Sequence, residues 1–180
     1  MAAHIALLRA VNVGGRKLLI AELKAVFESL GFTRLRTLLQ SGNIIFESAQ
    51  SPSPALEAAL EAETEKRLKL RTDYLVRSPD EWSAVVRNNP FPREAKDDPG
   101  HLLVLPLKST PTASDVAALR AVIQGRETVT AIGRELYAYY PDGVGRSKLT
   151  IALIERKLKT RGTGRNWNTV LKIQAALESR

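Results

Sequence analysis

Four polar segments of this 180-residue chain hold residue types able to do chemistry, and the chemistry they suit is the holding of an anion. Two of them lie near the C-terminal end. In Tyr139-Tyr140-Pro141-Asp142-Gly143-Val144-Gly145-Arg146-Ser147-Lys148 a strand pattern ends in two tyrosines and a glycine-containing loop follows. The pattern predicts a helix from about Ser147, with Ser147 as its N-cap and the cations Arg146 and Lys148 beside it. The first turn of a helix has free N–H groups and a partial positive charge, so cations placed there oppose the dipole unless an anion sits among them. The segment Arg161-Gly162-Thr163-Gly164-Arg165-Asn166-Trp167-Asn168-Thr169 repeats the arrangement, with Arg165, Asn166 and Asn168 at the start of a last helix. Two successive basic helix starts are a more specific signal than either alone. Trp167 is spaced with Val170, Ile173 and Leu177 as one helix face, which makes it a core anchor before a base-stacking platform.

The other two segments lie early in the chain. Arg9-Ala10-Val11-Asn12-Val13-Gly14-Gly15-Arg16-Lys17 runs from a strand through a Gly-Gly loop toward a helix. Arg9, Asn12 and the backbone of Gly14 and Gly15 could cradle an anion there. The loop matches neither the dinucleotide fingerprint nor the Walker A pattern. Local sequence alone favours a plain β-to-α connection. Gln40-Ser41-Gly42-Asn43 could present Gln40 and Asn43, with Ser41 between them, as polar donors to a ligand; local sequence favours a hairpin turn.

Other chemistries are excluded or unsupported. The chain has no cysteine, which removes disulfides, thiol catalysis and thiolate metal sites. His4 and His101 are its two histidines, and neither belongs to a cluster with metal-ligand spacing. No resident metal and no particular cofactor is indicated, although a carboxylate-bound Mg²⁺ needs few protein ligands and stays open. No serine has a neighbouring His/Asp pair, and Asp97-Asp98 reads as a solvated turn.

The formal charge of +8 is unevenly placed. Residues 1–143 hold 18 Lys/Arg against 17 Asp/Glu, while residues 144–180 hold 9 against 2. A localised positive field attracts phosphates, nucleic acid or other anions. No apolar run approaches the roughly 18 residues needed to cross a bilayer, so no membrane partner is expected and the default location is the cytoplasm.

The elements that must position these segments follow from hydrophobic period and turn residues. Strands are predicted at 4–9, 35–39, 44–47 and 73–77, with helices at about 20–30 and 54–69. A helix follows Ser78-Pro79-Asp80-Glu81 and ends before Pro90. Phe91 to Gly100 reads as a boundary or mobile loop. Strands at 101–107, 127–132 and 135–140 and helices at 114–124, about 147–159 and about 166–178 complete the chain. Both halves share nearly one order of elements, which predicts an α+β fold of two ferredoxin-like βαββαβ-type units, the second ending in helices. The division expected is 1–90 and 91–180, the two packing separately or as one domain.

The segments Arg9–Gly15 with Ala21-Glu22-Leu23, Leu39–Phe46, Asn89-Pro90-Phe91, Tyr140–Gly143 through Ser147-Lys148-Leu149, and Thr163 with Arg165–Val170 resemble, in order and spacing, the bacterial family called domain of unknown function 1697. The resemblance spans nearly the whole chain. It implies a small α+β protein of ferredoxin-like units and supplies no reaction. Ala10 stands where that family usually has glycine. The leading functional expectation is a binding module for a phosphorylated or otherwise anionic partner or nucleic acid. The alternatives are an enzyme acting on a small phosphorylated or nucleotide-like substrate, with Arg9, Asn12, Gln40 and Asn43 lining a pocket with the basic loops, and a structural protein whose basic end meets an acidic partner. A deep pocket favours the enzyme, a flat basic face the polymer binder. Oligomeric state is left open.

Overall fold

The structure, a computed structural model, describes residues 1–9, 18–39 and 42–179. The chain divides into two compact units, Met1–Ser83 with Ile173–Arg180, and Ala84–Lys172.

The first unit begins with β1 (Ala2–Arg9), α1 (Ile20–Ser29), β2 (Thr33–Thr37) and β3 (Asn43–Ser48), then α2 (Pro54–Leu68) and β4 (Asp73–Arg77). All pairings are antiparallel and the strand order is β2-β3-β1-β4, the order of a ferredoxin-like sheet. Ala6 and Leu8 of β1 alternate toward a core shared with Leu23, Val26 and Phe27 of α1 and Leu56 and Leu60 of α2. Phe27 sits edge-on to Phe46, with ring centroids 5.1 Å apart, and to Tyr74 at 5.9 Å. The Tyr74 hydroxyl is buried against Thr64 Oγ1 at 2.8 Å, and burial pushes its pKa up. Strand β2 runs two residues earlier than the sequence pattern suggested, because Leu39 turns to φ +54° and leaves the ladder.

Strand β4 lies at the sheet edge, yet all five of its residues are buried. Helix α2 covers that edge with carboxylates: Val76 N–H donates to Glu57 Oε1 at 2.9 Å and Tyr74 N–H to Glu61 Oε1 at 3.0 Å. Four residues along a helix rise about 6.0 Å and two along a strand about 6.6 Å, so i,i+4 carboxylates match alternate edge N–H groups. The edge donors are thereby withheld from other strands. Arg77 and Glu57 are both buried, 3.9 Å apart.

After α3 (Pro79–Arg87), capped by a reciprocal Ser78–Glu81 pair at 3.1 and 2.8 Å, comes α4 (Pro92–Asp97) and a 3₁₀ turn over Pro99–His101. The segment 91–100, expected as a loop, is therefore largely helical. Pro92 at the first turn, Glu94 behind it and Lys96 near the end suit even so short a helix.

The second unit repeats the topology with β5 (Leu102–Pro106), α5 (Ala113–Ala121), β6 (Thr128–Ile132), β7 (Glu135–Tyr139), α6 (Ile151–Leu158) and β8 (Arg165–Asn166), in the order β6-β7-β5-β8. The last strand is only two residues long and precedes α7 (Trp167–Glu178). The chain reaches it through Gly162, where a Cβ would lie 2.6 Å from the Pro106 carbonyl oxygen. Only glycine permits that approach. Along α7, Trp167, Val170, Ile173 and Leu177 are all buried, as their spacing predicts.

Candidate functional site

The basic segment is organised differently from the helix start that its sequence suggested. Helix α6 begins at Ile151, and its cap is Thr150, whose Oγ1 accepts the Leu153 N–H at 3.2 Å. Arg146, Ser147 and Lys148 therefore lie in the preceding loop and not in a helical first turn. Ser147 closes a local turn by accepting the Leu149 N–H at 3.0 Å, and donates its proton to Glu127 Oε1 at 2.6 Å. A threonine three residues before a good cap partner outcompetes a serine that is already engaged. The buried Tyr140, its pKa pushed up to about 12 by desolvation, ties the loop to β7 by donating to the Leu149 carbonyl at 3.0 Å.

The loop folds over the start of the β6–β7 hairpin and leaves an open depression of about 310 Å³. Arg146, Ser147, Lys148 and Asp142 line it from one side and Gln124, Gly125 and Glu127 from the other. A second depression of about 300 Å³ shares Gln124, Gly125, Glu127 and Lys148 and extends to Arg156 and Lys157 of α6. The two form one basin. Its charges are unbalanced. Asp142 is held in a two-point pair by Arg126, with Nε–Oδ2 at 3.1 Å, and that guanidinium holds the carboxyl below the usual range. Lys148 Nζ meets the neutral Gln124 Oε1 at 3.3 Å. Among the described residues, Arg146, Lys148, Arg156 and Lys157 form no ion pair, and the one other carboxylate of the basin, Glu127, is already bonded to Ser147.

The remaining expected residues fall elsewhere. Arg165 and Asn166 form β8, and Asn166 Oδ1 caps α7 by accepting the Thr169 N–H at 3.0 Å, while Asn168 is exposed. Arg165 Nη1 donates to Thr163 Oγ1 at 2.8 Å and to the Gly164 carbonyl at 2.9 Å. Burial lowers its pKa to about 10, so the guanidinium stays protonated at neutral pH. In the first unit, Arg9 pairs with Asp73 at 3.5 Å. Buried Asn43 donates to the Leu38 carbonyl at 3.2 Å, a turn-closing role. Asn12, Gly14, Gly15, Gln40 and Ser41, and with them the unusual Ala10, lie outside the described residues. Arg9 and Asn43 thus belong to one unit and the basin to the other.

Two features were not legible as parts of a site. Gln124 and Glu127 sit at the start of a hairpin, with no local signal linking them to residue 147. A second polar cluster lies beside Gly143, the residue after basin-lining Asp142: Asp98 Oδ2 accepts both the Tyr139 hydroxyl at 2.9 Å and the His101 Nδ1–H at 2.9 Å. The Asp98-Pro99-Gly100-His101 spacing across one 3₁₀ turn is the signal that could have found it. A separate depression of about 310 Å³ in the first unit is lined by Ala3, Ile45 and Leu177 with Arg34, Arg36 and Glu47. Arg34 pairs with Glu47 at 3.6 Å, and Arg36 donates to the Ala176 carbonyl in the last turn of α7. Arg34 is thus ion-paired, whereas the basin's Arg146, Lys148, Arg156 and Lys157 form no ion pair among the described residues. Among the described residues no group of three or more His, Asp or Glu could hold a metal ion, and no helix is long and apolar enough to cross a membrane.

Two antiparallel four-stranded sheets of one strand order, each with its helices, define an α+β protein of two ferredoxin-like units. The chain belongs to the family described as protein of unknown function DUF1697, whose model matches residues 1–137. Gln124, Gly125 and Glu127 of the basin fall within the matched span and residues 142–157 beyond it. A solved structure of the conserved bacterial protein SP0830 from Streptococcus pneumoniae is similar over 99% of both chains, with a TM-score of 0.76 and 21% identity, a likeness of fold. No curated protein matches the chain.

Proposed function

We propose that the protein is a binding module for a small phosphorylated ligand, held in the basin of the second unit. The observation supporting this reading is the set Arg146, Lys148, Arg156 and Lys157, four cations lining two adjoining depressions and forming no ion pair among the described residues. Unpaired cations repel one another, and a bound phosphate relieves that repulsion. A guanidinium offers it a two-point contact and an ammonium a point charge. The bounded volume suits a small ligand. None of the two tryptophans, four tyrosines and four phenylalanines is exposed, so the stacking surface that single-stranded nucleic acid uses receives no support.

The test is a titration of the full chain with propyl phosphate, followed by backbone NMR. Saturable shifts are expected at residues 124–127 and 142–149. Arg146→Ala with Lys148→Ala should weaken binding about ten-fold or more, since charged hydrogen bonds carry that weight. Absence of shifts in these residues would overturn the reading. Tighter binding of a DNA duplex, with a steep loss in salt, would replace it with a polymer partner.

A further inference from the structure

The Asp98–His101–Tyr139 cluster has a defined proton arrangement. An ionised carboxylate only accepts, so the His101 Nδ1 that meets Asp98 Oδ2 at 2.9 Å carries its proton. In the neutral ring the other nitrogen, Nε2, is then a bare acceptor. Tyr139 donates to the same carboxylate oxygen, and this bond holds its hydroxyl protonated by raising its pKa. Asp98 is thus occupied by two donors, which fixes the ring. The His101 side chain is 44% exposed, and among the described residues its Nε2 makes no hydrogen bond.

Its position relates it to the basin. The turn Tyr140-Pro141-Asp142-Gly143 closes with Gly143 N–H donating to the Tyr140 carbonyl at 3.0 Å, and Gly143 takes φ +86°, a conformation that favours glycine. A Cβ at that residue would lie 3.7 Å from His101 Nε2. Asp142, the preceding residue, lines the basin. The acceptor thus neighbours Gly143, the residue that follows basin-lining Asp142.

We propose that His101 selects ligands bearing a hydroxyl group beside their phosphate, with Nε2 as the hydroxyl acceptor and Asp98 as the positioning residue. The ligand class is a small polyhydroxy phosphate, of the sugar- or glycerol-phosphate kind. This inference rests on the reading of the basin as a phosphate site. With the phosphate on Arg146 and Lys148, the hydroxyl end of such a molecule would have to pass Asp142 and Gly143 to reach the imidazole. A carboxylate-fixed acceptor accepts a donor without first reorganising, which is the source of its selectivity.

The test compares propyl phosphate with glycerol 3-phosphate and ribose 5-phosphate on the full chain at about pH 8, above the ordinary imidazole range. At least one hydroxyl ligand should bind about five-fold more tightly than propyl phosphate, the weight of one neutral hydrogen bond. His101→Ala should abolish that preference and leave propyl phosphate binding unchanged. Asp98→Asn should abolish it too, because an amide can donate to Nδ1 and move the ring proton to Nε2. Imidazole ¹⁵N spectra should find Nε2 unprotonated and shifted by the hydroxyl ligand, a response that a merely structural histidine lacks. Equal affinities for all three ligands, or an His101→Ala loss shared by propyl phosphate, would overturn the proposal while leaving the basin intact. Failure of all three to bind removes the basin reading and this inference with it.

Discussion

The two units use their polar residues in opposite ways although their strand order is the same. In the first, α2 is 15 residues long and lays Glu57 and Glu61 along the edge of a five-residue β4. Its charged side chains finish the sheet. In the second, α6 has eight residues and β8 two. The chain between β7 and α6 stays out of regular structure and carries Asp142, Arg146, Ser147 and Lys148 to the basin. The histidines divide likewise. His4 is buried in the first unit against the Phe46 ring, and His101 is open to solvent in the second. The difference teaches that with a short last helix and strand this topology leaves its polar residues in a loop, while full-length elements turn the same residue types into edge protection.

The sharpest way to break this contrast is Glu57→Ala. It removes the acceptor of the Val76 N–H and a buried carboxylate 3.9 Å from buried Arg77. Removing one partner of a buried charge typically costs about 3 kcal/mol, and urea unfolding should register a loss of that order. Arg146→Ala, at an exposed position in the loop of the second unit, should stay within about 0.5 kcal/mol of the parent. Equal effects would mean that the first unit's carboxylates are as dispensable as the loop's cations.

Gly162→Ala probes the short edge. The added Cβ would press on the Pro106 carbonyl and on Leu107, where 2.6 and 2.8 Å are available. Overpacking of this kind costs about 2 kcal/mol. Hydrogen exchange should quicken at Asn166 and Arg165, the residues that β5 holds through Leu103 and Val104. Unchanged protection would show that β8 is held by α7 and not by its own approach to β5.

The fold was legible because its elements are locally consistent. The short apolar run of β1, the Ser53-Pro54 start of α2 and the spacing of Trp167, Val170, Ile173 and Leu177 all agree with the final structure. Legibility failed where two local signals competed. Ser147 and Thr150 both offer a cap, and only the pairing of Ser147 with Glu127, twenty residues back, decides between them. A two-residue β8 has no period to read, since two residues cannot display alternation. For the site, Arg146, Ser147 and Lys148 were visible as an excess of charge. Their partners Gln124 and Glu127 were not, because hairpin pairing and not sequence distance brings them there.

The smallest effect expected concerns His4 and sharpens the contrast between the histidines. Its Nε2 lies 2.9 Å from the Gln50 carbonyl, which as a pure acceptor places the proton on Nε2. Nδ1 is then a buried lone pair with no hydrogen-bond partner among the described residues. Burial lowers the His4 pKa from its ordinary 6.5, against the opposing pulls of the Gln50 carbonyl and the Glu81 charge. The sign follows from linkage: the unfolded chain takes up a proton near 6.5 while the folded chain resists until lower pH. The contribution of the neutral ring to stability is therefore full above 6.5 and is lost as pH falls from there through the lower folded value. His4→Gln keeps a donor for the Gln50 carbonyl but removes the titration. Urea midpoints measured from neutral pH downward should fall less steeply in the variant than in the parent. Parallel curves would show that the acid sensitivity of the first unit does not arise at His4.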